Sequence, residues 1–196
     1  MSIFPEKEIA LYLQSSLTAK RWQHTLGCQQ MAIQLAERYN VDLMKTRQAA
    51  LCHDYCRSYT PQQLLQLAVE LNYEPQPMEQ QIPMLLHGPL AAALLHRDWH
   101  IDDAAILEAV QYHTTGRLNL GVLAKVIFLA DGIEPNRDYP GVNKLRKLAQ
   151  ENLDAACLAF LQSNIAYLDQ KGMIVHPLSR QWLEQLKRNI ERTAYK

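Results

Sequence analysis

Apolar residues return every three or four positions along most of the chain, which is the spacing of an amphipathic helix. The clearest case is the stretch from Arg21 to Tyr39, in which Trp22 and Leu26 stand about one turn apart. The run from Val126 to Ala130 is apolar on every side and predicts a buried helix. The pattern predicts helices over about residues 6–17, 21–39, 43–55, 61–71, 104–113, 118–131, 143–150 and 154–170, a helix with Pro89 at its first position, and a last helix from Ser179 onward.

Capping residues mark several of the predicted boundaries. Asp42, Thr60 and the pair Asp102–Asp103 precede predicted helices, and their side chains can accept hydrogen bonds from the free amides of a first turn.

The stretch from Asn72 to Pro83 holds three prolines, and we expect it to be the only long loop. The chain has 196 residues with only 7 Gly and 9 Pro, which favours long helices over many short strands. The sequence therefore predicts an all-α fold.

Charge and composition narrow the function class. The chain has 20 Lys+Arg and 20 Asp+Glu, whereas nucleic-acid or acidic-membrane binders carry a basic excess. No apolar run approaches the ~20 residues of a membrane span, and residues 1–8 lack the features of a secretory signal. The cysteines do not suggest a disulfide framework; they are Cys28, Cys52, Cys56 and Cys157. We expect a cytoplasmic protein with buried free thiols and neither a nucleic-acid nor a membrane partner.

Four side chains that suit metal binding lie at the edges of apolar segments. They are His24, the adjacent His53 and Asp54, and Asp131, which ends the most apolar run in the chain. An unpaired carboxylate in such a place is costly, so it should have a cation or hydrogen-bond donors. A divalent metal held by two imidazoles and two carboxylates would satisfy all four side chains. Taken singly, His24 also suits a half-buried histidine and Asp131 a helix cap.

Five short motifs extend this pattern. They are Arg21-Trp22-Gln23-His24-Thr25-Leu26-Gly27, His53-Asp54-Tyr55, His87-Gly88-Pro89, Tyr112-His113-Thr114-Thr115-Gly116 and Ala130-Asp131-Gly132-Ile133-Glu134-Pro135-Asn136-Arg137. Over about residues 5–180 the chain resembles the HD-domain metal-dependent phosphohydrolases, in particular the YqeK family of symmetrical bis(5'-nucleosyl)-tetraphosphatases. It departs from that family at Gly132, where Tyr or Lys is common, and at Arg57, where Lys is frequent.

The resemblance implies a divalent metal, usually iron in this family, held by His24, His53, Asp54 and Asp131. The ligand types alone also allow manganese, cobalt or nickel, because sets of nitrogen and oxygen ligands discriminate poorly among these ions. In many relatives of the HD superfamily, histidines at the positions of His87 and His113 hold a second metal. A two-metal site is therefore left open.

The resemblance also implies the reaction, which is symmetrical hydrolysis of a dinucleoside tetraphosphate by metal-activated water. Diadenosine tetraphosphate (Ap4A) is the expected substrate and ADP the product. The implied catalytic residues are Asp54, His87 and His113. The implied substrate-binding residues are Arg21, Asp54, His87, His113, Thr114, Asp131, Arg137, Ile174, Val175, His176, Pro177, Leu178 and Ser179. The last six of these are expected to line the nucleoside pocket through backbone groups. Arginines suit this role because a guanidinium binds phosphate through two parallel hydrogen bonds.

The resemblance implies one HD-type domain over residues 1–196. Its motif core is expected at about 20–140, and helices within 143–196 are expected to complete the nucleotide pocket. Lys144, Arg146 and Lys147 are expected to form a solvated face, with an approach to the distal nucleotide as the alternative. A homodimer is left open. Two other functions also stay open: an HD phosphohydrolase acting on a deoxynucleotide, alarmone or cyclic dinucleotide, and a non-catalytic nucleotide-binding module.

Overall fold

The computed structural model describes residues 5–194, and these residues form eleven α-helices, one 3-10 helix and no strand. The all-α prediction is thereby confirmed, while residues 1–4 of the predicted leaderless N-terminus lie outside the described residues. The helices are α1 (Glu6–Ser16), α2 (Ala19–Arg38), α3 (Leu43–Cys52), α4 (Pro61–Glu70), α5 (Pro77–Gln81), the 3-10 helix (Pro83–Leu86), α6 (His87–Trp99), α7 (Ala104–Tyr112), α8 (Val122–Ile133), α9 (Val142–Glu151), α10 (Leu153–Gln170) and α11 (Pro177–Ala194).

Side-chain caps fix the starts of several helices, as predicted. Asp42 accepts hydrogen bonds from two first-turn amides of α3, and Asp103 does the same for α7. Thr60 and Gln63 form a reciprocal capping box at the start of α4. Each cap satisfies amides that have no partner within the helix. The predicted helix starts at these positions are confirmed to within a residue or two.

The predicted long loop between Asn72 and Pro83 is wrong, because this stretch contains α5 and the first residue of the 3-10 helix. Proline is tolerated in the first turn of a helix, and Pro77 and Pro83 both stand there. The buried Glu79 carboxylate accepts hydrogen bonds from the Gln76 amide at 2.9 Å and from the Tyr73 hydroxyl at 3.2 Å. These bonds give α5 a defined start in spite of its proline-rich sequence.

Four other helix boundaries differ from the prediction. Helix α8 begins at Val122 rather than residue 118, since Asn119 has a positive φ of 56° and Gly121 is the cap. Helix α6 begins two residues before Pro89, and α11 begins at Pro177 rather than Ser179. The most consequential difference is that α3 ends at Cys52. His53 and Asp54 therefore lie in the turn that follows α3.

Helix α8 is the centre of the core. Nine of its residues are buried, as the apolar run predicts, and it packs against α2, α7 and α10. One buried apolar cluster extends from Ile9 of α1 to Leu186 of α11. All four cysteines are free and buried within it, which confirms the expectation for the thiols. No helix in the described part of the chain is long and apolar enough to cross a membrane.

Helix α11 is held against the core by Trp182, whose ring lies 4.7 Å from the ring of Phe128 between centroids. The same indole covers Gly116, which has a φ of 62°. A Cβ atom added at Gly116 would lie 2.0 Å from Trp182 Cε3. The turn after His113 is thus tied sterically to the C-terminal helix.

We expect Gly116→Ala to lower the free energy of unfolding through two effects. The positive φ costs an L-residue about 1–2 kcal/mol, and the overlap with Trp182 adds about 1–3 kcal/mol. Gly172→Ala is the matched control, because Gly172 has a φ of 65° and nothing within 4 Å of the added Cβ. Urea unfolding should show the larger loss for Gly116→Ala. Equal losses in the two variants would contradict the steric role of Trp182.

Candidate metal centre

Five helices bring six ionisable side chains to one place in the core. His24 lies in the second turn of α2, and Asp131 lies near the end of α8. The other four residues lie at helix boundaries: His53 and Asp54 follow α3, His87 opens α6, and His113 follows α7. These four residues lie where the chain turns at a helix end and stays buried.

The six side chains form two adjoining groups. The ligand atoms of His24, His53 and Asp131 lie within 4.8 Å of one another, and so do those of Asp54, His87 and His113. Asp54 stands between the groups. Its Oδ2 is 3.8 Å from His24 Nε2 and 3.5 Å from His53 Nε2, and its Oδ1 is 3.6 Å from His87 Nε2. The structure therefore brings together the four predicted ligands and places His87 and His113 beside them.

Hydrogen bonds at Nδ1 orient all four imidazoles. In His53, His87 and His113, Nδ1 contacts the backbone carbonyl three residues earlier, at 2.7 Å for His53 and His113. His24 Nδ1 instead contacts Glu134 Oε1 at 3.2 Å. A carbonyl or carboxylate can only accept, so each Nδ1 carries a proton, and in its neutral form each imidazole presents the lone pair of Nε2 to the centre.

Two of these Nε2 atoms have no hydrogen-bond partner within residues 5–194, and a metal ion would satisfy their lone pairs. His24 Nε2 and His53 Nε2 are buried and make no hydrogen bond with the described residues. Asp131 Oδ1 lies 2.9 Å from His24 Nε2 without forming a hydrogen bond with it. A buried acceptor without a donor is costly. A set of imidazole nitrogens and carboxylate oxygens is typical of sites for divalent transition metals.

His87 and His113 form a similar arrangement in the second group. Their Nε2 atoms are 3.0 Å apart, and the Nδ1 contacts leave a lone pair on each. Two facing lone pairs repel unless a proton or a cation lies between them. Burial lowers the pKa of both residues, to about 3 for His113. Both imidazoles are therefore neutral at pH 7, which is the form that binds metals.

Two arginines border the centre and pair with its carboxylates. Arg21 Nη1 donates to Asp54 Oδ2 at 2.9 Å, and Arg137 Nη2 donates to Asp131 Oδ1 at 2.9 Å. Both side chains are partly exposed. Thr114 Oγ1 lies 3.4 Å from His87 Nε2 on the other side of the centre. These three residues, predicted to bind phosphate, are thus placed where an anion at the centre would meet them.

Two cavities open beside the centre. The first, which we call the apolar cleft, has a volume of about 540 Å³ and is lined by residues that include Tyr73, Met78, Tyr112, Thr114, His176 and Leu178. The second, which we call the basic cleft, has a volume of about 710 Å³ and is lined by residues that include Lys20, Arg21, Gln23, Asn136, Arg137 and Tyr139. Both volumes lie in the usual range for sites that bind small molecules.

Only part of the segment 174–179, which is predicted to line the nucleoside pocket, lines the apolar cleft. His176, Pro177 and Leu178 line this cleft. Val175 is buried in the core, and Ser179 Oγ donates to the Thr115 carbonyl at 2.8 Å. Ile174 is exposed and is not among the lining residues. The first two residues of the segment and its last one are therefore not among the residues that line this cavity.

Glu134 is a residue whose place in the centre the sequence analysis missed. Its buried carboxylate contacts His24 Nδ1 and accepts a hydrogen bond from the Asn136 amide at 2.6 Å. The carboxylate reaches this position because Gly27 has no side chain: a Cβ there would lie 2.4 Å from Glu134 Oε2. Gly27 follows His24 by three residues, and this spacing on one helix face was the signal available in the sequence.

Arg146 holds the turn that carries Glu134 and Arg137. Its guanidinium donates to the carbonyls of Ile133, Glu134 and Arg137 at 2.7–2.9 Å. The expectation that Arg146 belongs to a solvated face with Lys144 and Lys147 is therefore wrong. The acceptors lie nine to thirteen residues away along the chain, and only the fold brings them to this side chain.

We expect Glu134→Ala to weaken metal binding about 10–100-fold, the usual effect of losing a residue that orients a ligand. Without the carboxylate, His24 loses the contact that fixes its Nδ1 proton and its ring. Glu134→Gln keeps an acceptor oxygen and should restore part of the affinity. Titration with Mn²⁺ measures this effect, with the exposed Glu37→Ala on α2 as the control. Unchanged Mn²⁺ affinity in folded Glu134→Ala would contradict this role.

Comparisons with known proteins agree with this arrangement. Residues 21–136 match the HD domain family, and this segment contains all six clustered side chains. A Bacillus subtilis protein named "Bis(5'-nucleosyl)-tetraphosphatase, symmetrical" is 36% identical over 90% of this chain and 96% of its own length. A Halalkalibacterium halodurans protein with the same name is 38% identical over 82% of this chain and 86% of its own length.

A solved structure shares the whole fold. It is a crystal structure from Clostridium acetobutylicum of a "predicted HD superfamily hydrolase involved in NAD metabolism". It has 34% sequence identity and a TM-score of 0.92, and the match covers 96% of this chain and 100% of the other. From the matched segment and the extent of these similarities, the chain belongs to the HD domain family and, within it, to the family of the symmetrical bis(5'-nucleosyl)-tetraphosphatases.

Proposed function

We propose that this protein hydrolyses dinucleoside tetraphosphates symmetrically, with Ap4A as the substrate: Ap4A and water give two ADP. The main support is the buried centre, in which ligand atoms converge beside two arginines that each pair with a ligand carboxylate. The names of the relatives, similar over most of this chain, support the same reaction. Another nucleotide remains the alternative substrate, and the product analysis below decides between them.

His24, His53, Asp54 and Asp131 would hold the first metal ion, for which we propose iron. A divalent cation bound there would polarise phosphoryl oxygens and lower the pKa of a water molecule towards ~7. His87 and His113, with Asp54, would hold a second ion. Their Nδ1 contacts leave Nε2 as an acceptor, which favours the ligand role over donation of a proton to the leaving group.

The arginines would bind the phosphate chain. Arg21 uses one nitrogen on Asp54, and Arg137 uses Nε and Nη2 on Asp131, so each guanidinium keeps N–H groups for phosphate oxygens. Arginine retains its charge at all relevant pH values and forms paired hydrogen bonds with phosphate. Asp54 lies between the two ligand groups, where its carboxylate would accept a hydrogen bond from the attacking water and so orient it.

The apolar cleft would hold one nucleoside. Thr114 lines this cleft and also contacts His87, so a nucleoside there would place its phosphates at the centre. His176 and Leu178 come from the segment at the start of α11. We therefore propose that helices within 143–196 complete the nucleotide pocket of a single domain over 1–196.

We also propose a cytoplasmic location, which suits four buried free thiols. A homodimer remains a prediction.

Metal removal and product analysis test the proposed reaction. Protein stripped with a chelator should lose Ap4A hydrolysis, and adding Fe²⁺ or Mn²⁺ back should restore it. Chromatography should show ADP as the only product, whereas NAD⁺, a deoxynucleoside triphosphate and a guanosine alarmone should stay intact. His53→Ala should lose both metal and activity, because it removes a buried ligand. Full activity after chelation, or ATP and AMP as products, would contradict the proposal.

We expect Arg137→Ala to lower kcat/KM for Ap4A about 10²–10³-fold, as the loss of a preorganised donor to developing charge does in other enzymes. Arg137→Lys should recover only part of the activity, since an ammonium cannot contact Asp131 and a phosphate through the same planar fork. Arg188→Ala on the exposed surface of α11 is the control and should be unaffected. Steady-state kinetics would refute this role if Arg137→Ala matched the control.

A further inference from the structure

The basic cleft lies on the side of Asp54 away from the apolar cleft. Asp54 Oδ1 faces His87 and His113, which adjoin the apolar cleft through Thr114. Asp54 Oδ2 faces Arg21 and His24, and both of these residues line the basic cleft. Of the residues found to line the two cavities, none is shared. The centre is thus bordered by two separate cavities.

Symmetrical cleavage places a geometric demand on the substrate. The central oxygen of the tetraphosphate lies midway between two identical nucleosides. Cleavage breaks the bond between this oxygen and one of the two inner phosphorus atoms, so one nucleoside diphosphate half extends to each side of the bond. One cavity beside the centre can hold only one of these halves. A protein that places the middle of the molecule at the centre needs a second cavity at a comparable distance on the other side.

The basic cleft carries unpaired positive groups suited to phosphate. Within residues 5–194, Arg21 makes a single side-chain hydrogen bond, through Nη1, so its Nε and Nη2 are free. Arg137 Nη1 likewise has no partner among these residues, and Lys20 is exposed and forms no ion pair with them. Phosphate oxygens entering this cleft would therefore meet donors from three cationic side chains.

The same cleft has groups suited to a nucleoside. Tyr139 is partly buried, and its hydroxyl donates to the Gly132 carbonyl at 2.9 Å, which holds the ring in place. A fixed aromatic ring can stack with a base of any identity. Gln23 and Asp138 are exposed lining residues whose polar groups suit ribose hydroxyls or a base edge. Donors for phosphate and an aromatic ring thus occur in one cavity.

From these observations we infer that the basic cleft is the binding site for the second nucleoside diphosphate half of the substrate. This inference rests on the proposed function, because it assigns the two cavities to the two halves of one dinucleoside tetraphosphate. After cleavage each cleft holds one ADP. Arg21 and Arg137 lie at the inner end of the basic cleft, and Tyr139 and Gln23 contact the nucleoside.

Counting bound ADP tests the inference independently of turnover. Calorimetric titration of the full-length chain with ADP in Mn²⁺ buffer should give two ADP per chain. Gln23→Trp places an indole in the basic cleft and should reduce the number to one. Gln30→Trp is the matched control, because Gln30 is also exposed on α2, seven residues further along, and it should keep two. One ADP per wild-type chain, or two in Gln23→Trp, would overturn the inference.

Kinetics with Ap4A provide a second measurement. Gln23→Trp should raise KM about tenfold, the effect expected when one stacked base is lost, while Gln30→Trp leaves KM unchanged. The proposed function and the second binding site can be refuted independently of each other. Two bound ADP without Ap4A hydrolysis would refute the proposed function but keep the second site. Hydrolysis to ADP with a single ADP bound to the wild type would keep the function and refute the second site.

Discussion

The hydrogen bond that each buried histidine makes through Nδ1 is the interaction on which the centre depends. It fixes the ring orientation and, in the neutral imidazole, the tautomer in which Nε2 is unprotonated, for all four residues. These nitrogens are removed from water and face one another or a carboxylate. Such an arrangement is unfavourable unless a cation satisfies the lone pairs. The fold therefore holds its ligands in place for a positive charge.

Helix ends supply the acceptors for three of these bonds. His53 and His113 directly follow the last residues of α3 and α7, and His87 directly follows the 3-10 helix. In each case the acceptor is the backbone carbonyl three residues earlier, at or near a helix end. A single local geometry thus gives the imidazole an acceptor for its Nδ1 proton and directs its Nε2 to the centre. His24, which lies within α2, requires the side chain of Glu134 instead.

The two carboxylates connect the buried centre to the proposed phosphate-binding region. Asp54 and Asp131 each accept a hydrogen bond from an arginine while an oxygen atom of each lies near the imidazoles. Each arginine is thereby held at the border of a cavity, with part of its guanidinium free. A polyphosphate placed across the centre would bridge the apolar and basic clefts. The charges of the two carboxylates, the two arginines and the proposed substrate would therefore lie around one point.

Sequence alone determined the all-α class, most helices, and the set of residues that meet at the centre, because helical periodicity, caps and short motifs are local signals. Local signals failed at α5, where the Glu79 carboxylate overrides a proline-rich sequence, and at Arg146, whose acceptors belong to a distant turn. Tertiary structure alone decided that Glu134 reaches His24 past Gly27, that the Nε2 atoms of His87 and His113 approach to 3.0 Å, and that two cavities lie beside the centre. These features depend on how separate helices pack, and no spacing within one segment encodes such distances.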